Sequence, residues 1–282
     1  MSKTIFVLLD GCTYEGAKEN LGYLEHLIES EKGIKLKIKG ELPSMSRPMY
    51  ETIFTGLPAS EHLIVNNTVR RRSKEENIFS LCKEMGMKTA AAAYHWVSEL
   101  YNLGPHNSLE HRIQLNTDRN IGSGIFYHVD HYPDSHLFAD GEFLRNYCDP
   151  EFLLIHSMNI DDAGHKFGSH SDKYADAIAT ADIILSNYLP KWLAEGYNVI
   201  VTSDHGMNEK KLHGGNTEIQ RLVPLYMFTT ESHKIKKGEF TDCEISQLYV
   251  APLICRLLGM SKSKKMKSLE EVGGYIFEED KI

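Results

Sequence analysis

The chain has 282 residues, of which 41% are hydrophobic and 25% are charged, and this composition and length fit one large globular domain, with or without an insertion. Its formal net charge of -8 argues against a general nucleic-acid-binding surface, because binding to phosphate backbones needs an excess of Lys and Arg. The five cysteines are scattered without a Cys-x-x-Cys pair, so they indicate neither a disulfide framework nor a cysteine zinc site, and they fit a reducing compartment.

The lengths of the apolar runs indicate whether the chain carries a targeting or membrane-spanning signal. The N-terminal stretch "MSKTIFVLLDG" contains a short apolar run, shorter than the core of a signal peptide, and no later run reaches membrane-spanning length. We therefore expect a cytoplasmic protein that has neither a membrane nor a nucleic-acid polymer as its partner.

Apolar runs that suit strands buried on both faces recur along the chain, at residues 4–10, 88–95, 151–160, 198–204 and 223–229. Helix-like segments lie between them. In the segment 172–196, apolar residues return at three- and four-residue spacing, and an apolar helix is predicted at 245–260. This alternation predicts an α/β fold in which a mostly parallel central sheet is sandwiched by helices.

The pattern weakens between about residues 102 and 149, a segment rich in Gly, Pro, Asn, His and Asp. We predict that residues 102–149 form a small cap or insertion over the functional site. Residues 1–101 and 150–282 would then form the core of the protein.

Potential metal ligands follow three of the predicted strands. Asp10 ends the first run, Asp161 and His165 follow the third, and Asp204 and His205 end the fourth, with His213 eight residues further on. In an open α/β sheet, ligands bind outside the carboxyl ends of the strands, so these side chains are expected to meet there. Three carboxylates and three imidazoles are too many for one tetrahedral zinc ion, but they suit two divalent ions. A two-metal site indicates displacement at phosphorus or a similar centre.

Such chemistry needs a nucleophile, and the stretch "LPSMSRPMYETIFTG" at residues 42–56 contains four hydroxyl side chains. They are Ser44, Ser46, Thr52 and Thr55. Periodicity does not choose between them.

Five motifs resemble those of the alkaline phosphatase superfamily, and most closely its nucleotide pyrophosphatase/phosphodiesterase branch. They are "SRPMYETIFTG", "HLIVNN", "DDAGHKFG", "SDHGM" and "HGG" followed by "VPL". The five motifs follow the order and spacing of the family, and the resemblance covers most of the chain.

The resemblance implies roles for individual residues. Ser46 would be the nucleophile, and Asn67 would contact the phosphoryl oxygens. One metal would be held by Asp161, His165 and His213, and the other by Asp10, Asp204, His205 and the Ser46 oxygen.

The resemblance implies cleavage of a phosphodiester or phosphoanhydride through a phosphoserine intermediate, with zinc as the expected metal and manganese as the alternative. The substrate would be a small phosphorylated molecule, and a nucleotide is one candidate. A phosphomonoesterase or phosphomutase of the same superfamily is the main alternative, in which Arg70, Arg71 or Arg72 supplies added positive charge. A non-catalytic protein that binds a phosphorylated ligand is the other.

The chain departs from the family where Met49 and Tyr50 replace a frequent Asn-His. Tyr50, Tyr94, His95 and Trp96 are candidates for stacking on a base or a flat leaving group, and packing in the core is the alternative for Tyr94 and Trp96.

Overall fold

The fold was analysed in a computed structural model that describes residues 2–230 and 233–278, with the side chain of Cys243 outside the described part. Within this part, nine strands form one sheet: β1 (Lys3–Leu9), β2 (Ile34–Lys39), β3 (Thr89–Tyr94), β4 (Ile113–Gln114), β5 (Ser123–Tyr127), β6 (Phe152–Ser157), β7 (Tyr197–Thr202), β8 (Leu222–Phe228) and β9 (Gly238–Ser246). Their order across the sheet is β4-β5-β3-β6-β1-β7-β8-β2-β9.

The central strands β5, β3, β6, β1 and β7 are parallel, whereas β8 runs antiparallel to both of its neighbours. The predicted mostly parallel sheet is therefore confirmed, and all five predicted strands are present. β2 and β9, which were not predicted, extend the sheet beyond β8.

Helices cover the sheet. Those in the described residues are α1 (Tyr14–Asn20), α2 (Gly22–Glu29), α3 (Ser46–Thr55), α4 (Ala59–His62), α5 (Ile78–Glu84), α6 (His95–Tyr101), α7 (Ser108–His111), α8 (Asp134–Cys148), α9 (Asn159–Phe167), α10 (Asp172–Ala194), α11 (Glu218–Arg221), α12 (Val250–Leu258) and α13 (Gly273–Ile276). Each is too short or too polar to span a bilayer.

The two faces of the sheet have separate apolar cores, because successive side chains of a strand point to opposite faces. In β1, Phe6 and Leu8 pack with α3, α5 and α12, whereas Ile5 and Val7 pack with α2, α8 and α10. The helix predicted at 172–196 corresponds to α10. The one predicted at 245–260 is shorter, because Ile245 and Ser246 end β9 and a 3-10 turn precedes α12.

Part of the segment predicted as a cap, residues 102–149, belongs instead to the core of the fold. Residues 102–149 include β5, which pairs with β3 in the central sheet, and α8, which packs on β3 and β6. β5 was not predicted because its sequence "SGIFY" begins with Ser123 and Gly124, which interrupt the apolar run. Gly124 has little room for a side chain, since a Cβ atom there would lie 2.4 Å from the Phe126 ring. A covering role for the parts of this segment outside β4, β5 and α8 stays a prediction.

Candidate active site

Three neighbouring strands bring three buried aspartates to one edge of the sheet. β1 lies between β6 and β7, and Asp10, Asp161 and Asp204 follow the carboxyl ends of these three strands. Their exposed fractions are 0%, 4% and 0%. Gly11 allows this approach, because a Cβ atom there would lie 2.9 Å from the Cα atom of Asp161 and its φ of +74° is unfavourable for other residues.

Each aspartate has one carboxylate oxygen without a hydrogen-bond partner: Oδ1 of Asp10, Oδ1 of Asp161 and Oδ2 of Asp204. The Asp10 and Asp204 oxygens lie 3.4 and 3.3 Å from Nε2 of His205, and the Asp161 oxygen lies 3.8 Å from Nε2 of His213. Buried polar atoms without a partner are rare and need an explanation. Because all three are carboxylate oxygens next to imidazole nitrogens, the donor set fits divalent metal ions.

The three histidines have the same hydrogen-bond arrangement. Nδ1 of His165, His205 and His213 lies 3.0, 3.0 and 3.1 Å from the backbone oxygens of Lys211, Gly206 and Ser44. Since a carbonyl can only accept, each Nδ1 carries the proton, which leaves each Nε2 as a lone-pair donor. Nε2 of His165 and Nε2 of His213 are 3.1 Å apart, and the His205 and His213 rings stack at 3.8 Å. Metal-binding histidines commonly have their other nitrogen anchored in this way.

These residues form two overlapping groups in which the candidate ligand atoms lie within 4.8 Å of one another: Asp10 with Asp204 and His205, and Asp161 with His205 and His213. His165 adjoins the second group, with Nε2 3.4 Å from Oδ2 of Asp161. The structure thus brings together all the aspartates and histidines predicted as ligands. His205 belongs to both groups, whereas the resemblance assigned it to one metal only.

Ser46 begins α3, and its Oγ atom lies 3.1 Å from Nε2 of His205. The other three candidate hydroxyls have different contacts. Ser44 donates to the Gly215 carbonyl, Thr52 contacts His62, and Thr55 donates to the Glu51 carbonyl. Among the described residues, the Ser46 hydroxyl is therefore the only one of these four hydroxyl groups that contacts a candidate metal ligand.

Asn67 lies beside the start of α3. Its side-chain oxygen accepts a hydrogen bond of 3.0 Å from the backbone N–H of Arg47. This contact fixes the orientation of the amide, so its NH₂ group is the part that can donate to a substrate oxygen.

The interpretation of Tyr50 as a stacking surface was wrong. Tyr50 is 0% exposed, and its hydroxyl donates to Oδ2 of Asp10. His156 of β6 contacts the same oxygen, with Nε2 3.2 Å away. Sequence analysis missed both contacts, because they join β1, α3 and β6, and no local pattern marks them.

A buried ion pair near the nucleophile was also missed. The guanidinium group of Arg47 is 2.7 Å from Oε2 of Glu99, and it lies over the ring of Trp96 at 4.5 Å. Trp96 therefore packs against a buried arginine.

The three consecutive arginines at residues 70–72 differ in their contacts. Arg71 donates to the backbone oxygens of His62 and Arg72, whereas Arg70 and Arg72 are exposed.

Burial determines the protonation of the site in the metal-free chain. It raises the pKa of Asp204 to about 6, and burial together with the neighbouring carboxylates raises the pKa values of Asp10 and Asp161. The same loss of hydration lowers the pKa values of His205 and His213 to about 3, so both imidazoles are neutral near pH 7. Neutral imidazole is the form that binds a metal.

Comparison with known proteins identifies the family. The profile of the type I phosphodiesterase / nucleotide pyrophosphatase family matches residues 4–237. The chain belongs to this family. Membership indicates phosphodiesterase-like chemistry at a phosphoryl group.

Curated relatives include the catalytic subunit of GPI ethanolamine phosphate transferase 3 from Mus musculus, which is 22% identical over 272 residues, covering 92% of this chain and 24% of the relative. The catalytic subunit of GPI ethanolamine phosphate transferase 2 from Homo sapiens is 20% identical over 288 residues, covering 98% of this chain and 28% of the relative. The chain therefore spans about a quarter of the length of these relatives.

Solved structures share the fold. Murine ectonucleotide pyrophosphatase / phosphodiesterase 5 superposes with a TM-score of 0.72 at 15% identity, covering 97% of this chain and 100% of that one. A phosphonate monoester hydrolase from Silicibacter pomeroyi gives a TM-score of 0.65 at 12% identity, covering 99% of this chain and 78% of that one. These similarities support the alkaline-phosphatase-like α/β architecture.

Proposed function

We propose that the chain is a two-metal hydrolase that cleaves a phosphodiester or phosphoanhydride through a phosphoserine intermediate. One observation carries the proposal: the Ser46 hydroxyl lies 3.1 Å from His205, in a cluster where three buried carboxylate oxygens lack partners. Asp161, His165 and His213 would hold one ion, and Asp10, Asp204, His205 and the Ser46 oxygen the other. Zinc suits this combination of imidazole nitrogens and carboxylate oxygens, with manganese as the alternative.

When bound, divalent ions favour the alkoxide form of a serine hydroxyl and stabilise the charge that develops on the phosphoryl and leaving oxygens. In the first half-reaction, Ser46 Oγ loses its proton and forms a bond to phosphorus, while the bond from phosphorus to the leaving oxygen breaks and the leaving group takes up a proton. In the second, a water molecule loses a proton as its oxygen forms a bond to phosphorus, the bond between phosphorus and Ser46 Oγ breaks, and Oγ takes up a proton. Asn67 donates to the non-bridging oxygens, a contact of a type worth about 3 to 4 kcal/mol in the transition state.

A nucleotide is the first substrate to test. The murine ectonucleotide pyrophosphatase / phosphodiesterase 5 has been solved in inactive form in complex with AMP. A nitrophenyl ester of a nucleotide has the diester group that the proposal needs, and it gives a coloured product.

Phosphoryl transfer to an alcohol is the second candidate, and the curated transferase relatives favour it. A phosphoserine intermediate serves both reactions, because either water or an alcohol can attack it. Product analysis with ethanolamine as the added alcohol separates the two: a phosphodiester of ethanolamine with the nucleoside, formed from the nucleotide ester in place of free nucleotide, would indicate a transferase.

The central test is Ser46→Ala in the zinc-loaded protein. Turnover of the nucleotide ester should fall by at least about a thousandfold, because the attacking atom is lost. Zinc content and the far-ultraviolet circular dichroism spectrum should be retained. Wild-type protein that is quenched in acid during turnover of this ester should carry the nucleoside monophosphate group of the substrate on Ser46.

Ser44→Ala is the matched control, because Ser44 lies two residues away but its hydroxyl donates to the Gly215 carbonyl. This variant should keep most of its activity. Near wild-type turnover by Ser46→Ala would refute the covalent mechanism and would indicate direct attack by water.

A further inference from the structure

Tyr50 and His156 converge on one atom of the candidate metal site. Tyr50 lies on α3, one turn beyond Ser46, and its hydroxyl donates to Oδ2 of Asp10. His156 lies on β6, and its Nε2 atom is 3.2 Å from the same oxygen. Both side chains and Asp10 are 0% exposed, so water does not compete for these hydrogen bonds.

The two contacts fix how Asp10 faces the site. A carboxylate only accepts hydrogen bonds when it is ionised, so Nε2 of His156 must carry the proton and both partners donate to Oδ2. The other oxygen, Oδ1, has no partner and lies 3.4 Å from Nε2 of His205. Rotation of the carboxylate would break both hydrogen bonds, so Asp10 presents the single oxygen Oδ1 to the site.

The Tyr50 ring is held in place independently of its hydroxyl. It packs edge-on against the His156 ring at 4.7 Å and against the Trp96 ring at 6.5 Å. Replacing Tyr50 with Phe would therefore keep the packing and remove the hydrogen bond. This separates the role of the hydroxyl from the role of the ring in the core.

We propose that Tyr50 and His156 are positioning residues that hold Asp10 as a one-oxygen ligand and thereby set the metal affinity of the group formed by Asp10, Asp204 and His205. The proposal rests on the metal-dependent function proposed above. It assigns a role to a position at which the chain departs from the family pattern. Loss of a partner that orients a metal ligand typically lowers metal affinity by about 10- to 100-fold.

The test is calorimetric titration of the metal-free protein with Zn²⁺ in the presence of a competing chelator. Wild-type protein should show two binding steps. In Tyr50→Phe, one step should weaken by about 10- to 100-fold while the other is unchanged. Tyr197→Phe is the matched control, because Tyr197 is also buried and donates to a carboxylate, Asp149, but it lies at the opposite end of the sheet. It should bind Zn²⁺ like the wild type.

A double-mutant comparison shows whether Tyr50 acts through Asp10. Asp10→Ala should itself weaken the affected step, and adding Tyr50→Phe to Asp10→Ala should change Zn²⁺ binding no further. His156→Gln, whose amide can still donate, should bind Zn²⁺ more tightly than His156→Leu. Thermal unfolding of each metal-free variant identifies any that does not fold, and the remaining variants then decide the result.

Two outcomes would overturn the inference and leave the proposed function standing. One is Zn²⁺ binding by Tyr50→Phe that matches wild type. The other is a loss of Zn²⁺ affinity on adding Tyr50→Phe to Asp10→Ala that equals the loss in the wild-type background. Failure of the wild type to bind Zn²⁺ would instead refute the metal-dependent function, and the inference with it. The wild-type titration therefore distinguishes the two failures.

Discussion

The charges around Asn67 bear on which phosphate ester the site prefers. Two divalent ions would bring four positive charges, which Asp10, Asp161, Asp204 and an ionised Ser46 would balance. A monoester dianion gathers more charge on its non-bridging oxygens than a diester, so it needs further cations. Arg47 is already paired with Glu99, and Arg71 is bound to backbone oxygens. Arg70 is the exposed cation nearest in sequence to Asn67.

We therefore predict that a nitrophenyl nucleotide ester is cleaved with a kcat/KM at least about tenfold higher than nitrophenyl phosphate, a difference of about 1.4 kcal/mol in the barrier. Arg70→Ala should leave the diester rate within about threefold of wild type. Arg72→Ala is the control for loss of an exposed charge from the same loop. A monoester preference that disappears in Arg70→Ala would favour the phosphomonoesterase alternative instead.

At the scale of elements, the sequence predicts best those strands whose environment is simplest. The parallel strands β1, β3, β6 and β7 are buried on both faces, so each reads as a continuous apolar run. β2 was missed because its sequence "IKLKIK" alternates apolar residues with lysine. Lys35 is nevertheless fully buried, because it pairs with Glu25 and Glu239. Its partners lie in other elements, so the sequence of β2 does not reveal its burial.

The candidate site shows the same difference between features that have a local sequence signal and features that depend on contacts with distant elements. The positions of the candidate aspartate and histidine ligands were predictable because they follow strands, and strand ends of a parallel sheet meet at one edge. Tyr50, His156 and the pair Arg47–Glu99 were not, because each acts through a contact between elements distant in sequence.

The start of α8 contains a buried carboxyl group, that of Asp134, whose ionisation destabilises the folded state. Asp134 accepts a hydrogen bond from Ser157 at Oδ1, but its Oδ2 atom is buried without a partner. Burial raises the pKa of Asp134 from 3.8 to about 7. Between these pH values the folded state keeps a proton that the unfolded state has released, so stability is lost as the pH rises.

Asp134→Asn removes this titration and keeps an oxygen that can accept from Ser157. We predict that the free energy of unfolding of the variant, relative to wild type, increases by about 2 to 3 kcal/mol between pH 5 and pH 8. Urea unfolding of both proteins at the two pH values, at equal zinc saturation, measures this difference. Parallel pH dependences would show that Asp134 does not retain its proton in the folded state.

For the whole molecule, the site is an acidic pocket in an acidic protein. The chain carries a net charge of -8, and its site gathers three buried aspartates, so without cations it would repel a phosphorylated substrate. Metal binding would reverse the local charge and also relieve the repulsion between the carboxylates. Substrate binding and stability are therefore expected to depend on the same ions.

The two candidate metal groups differ in access to solvent, and this predicts the order in which metal is lost. Asp10, Asp204 and His205 are 0% exposed, whereas the side chain of His165 is 43% exposed. A chelator should remove zinc in two phases, with the ion held by Asp161, His165 and His213 released first. Release can be followed with a chromogenic chelator, and His165→Ala should lose the fast phase and keep the slow one. Complete removal should lower the unfolding temperature by about 5 °C or more, since a ligand at 100 times its Kd stabilises by about 2.7 kcal/mol. A single release phase in wild type, or a metal-free protein as stable as the loaded one, would contradict two unequal sites that support the fold.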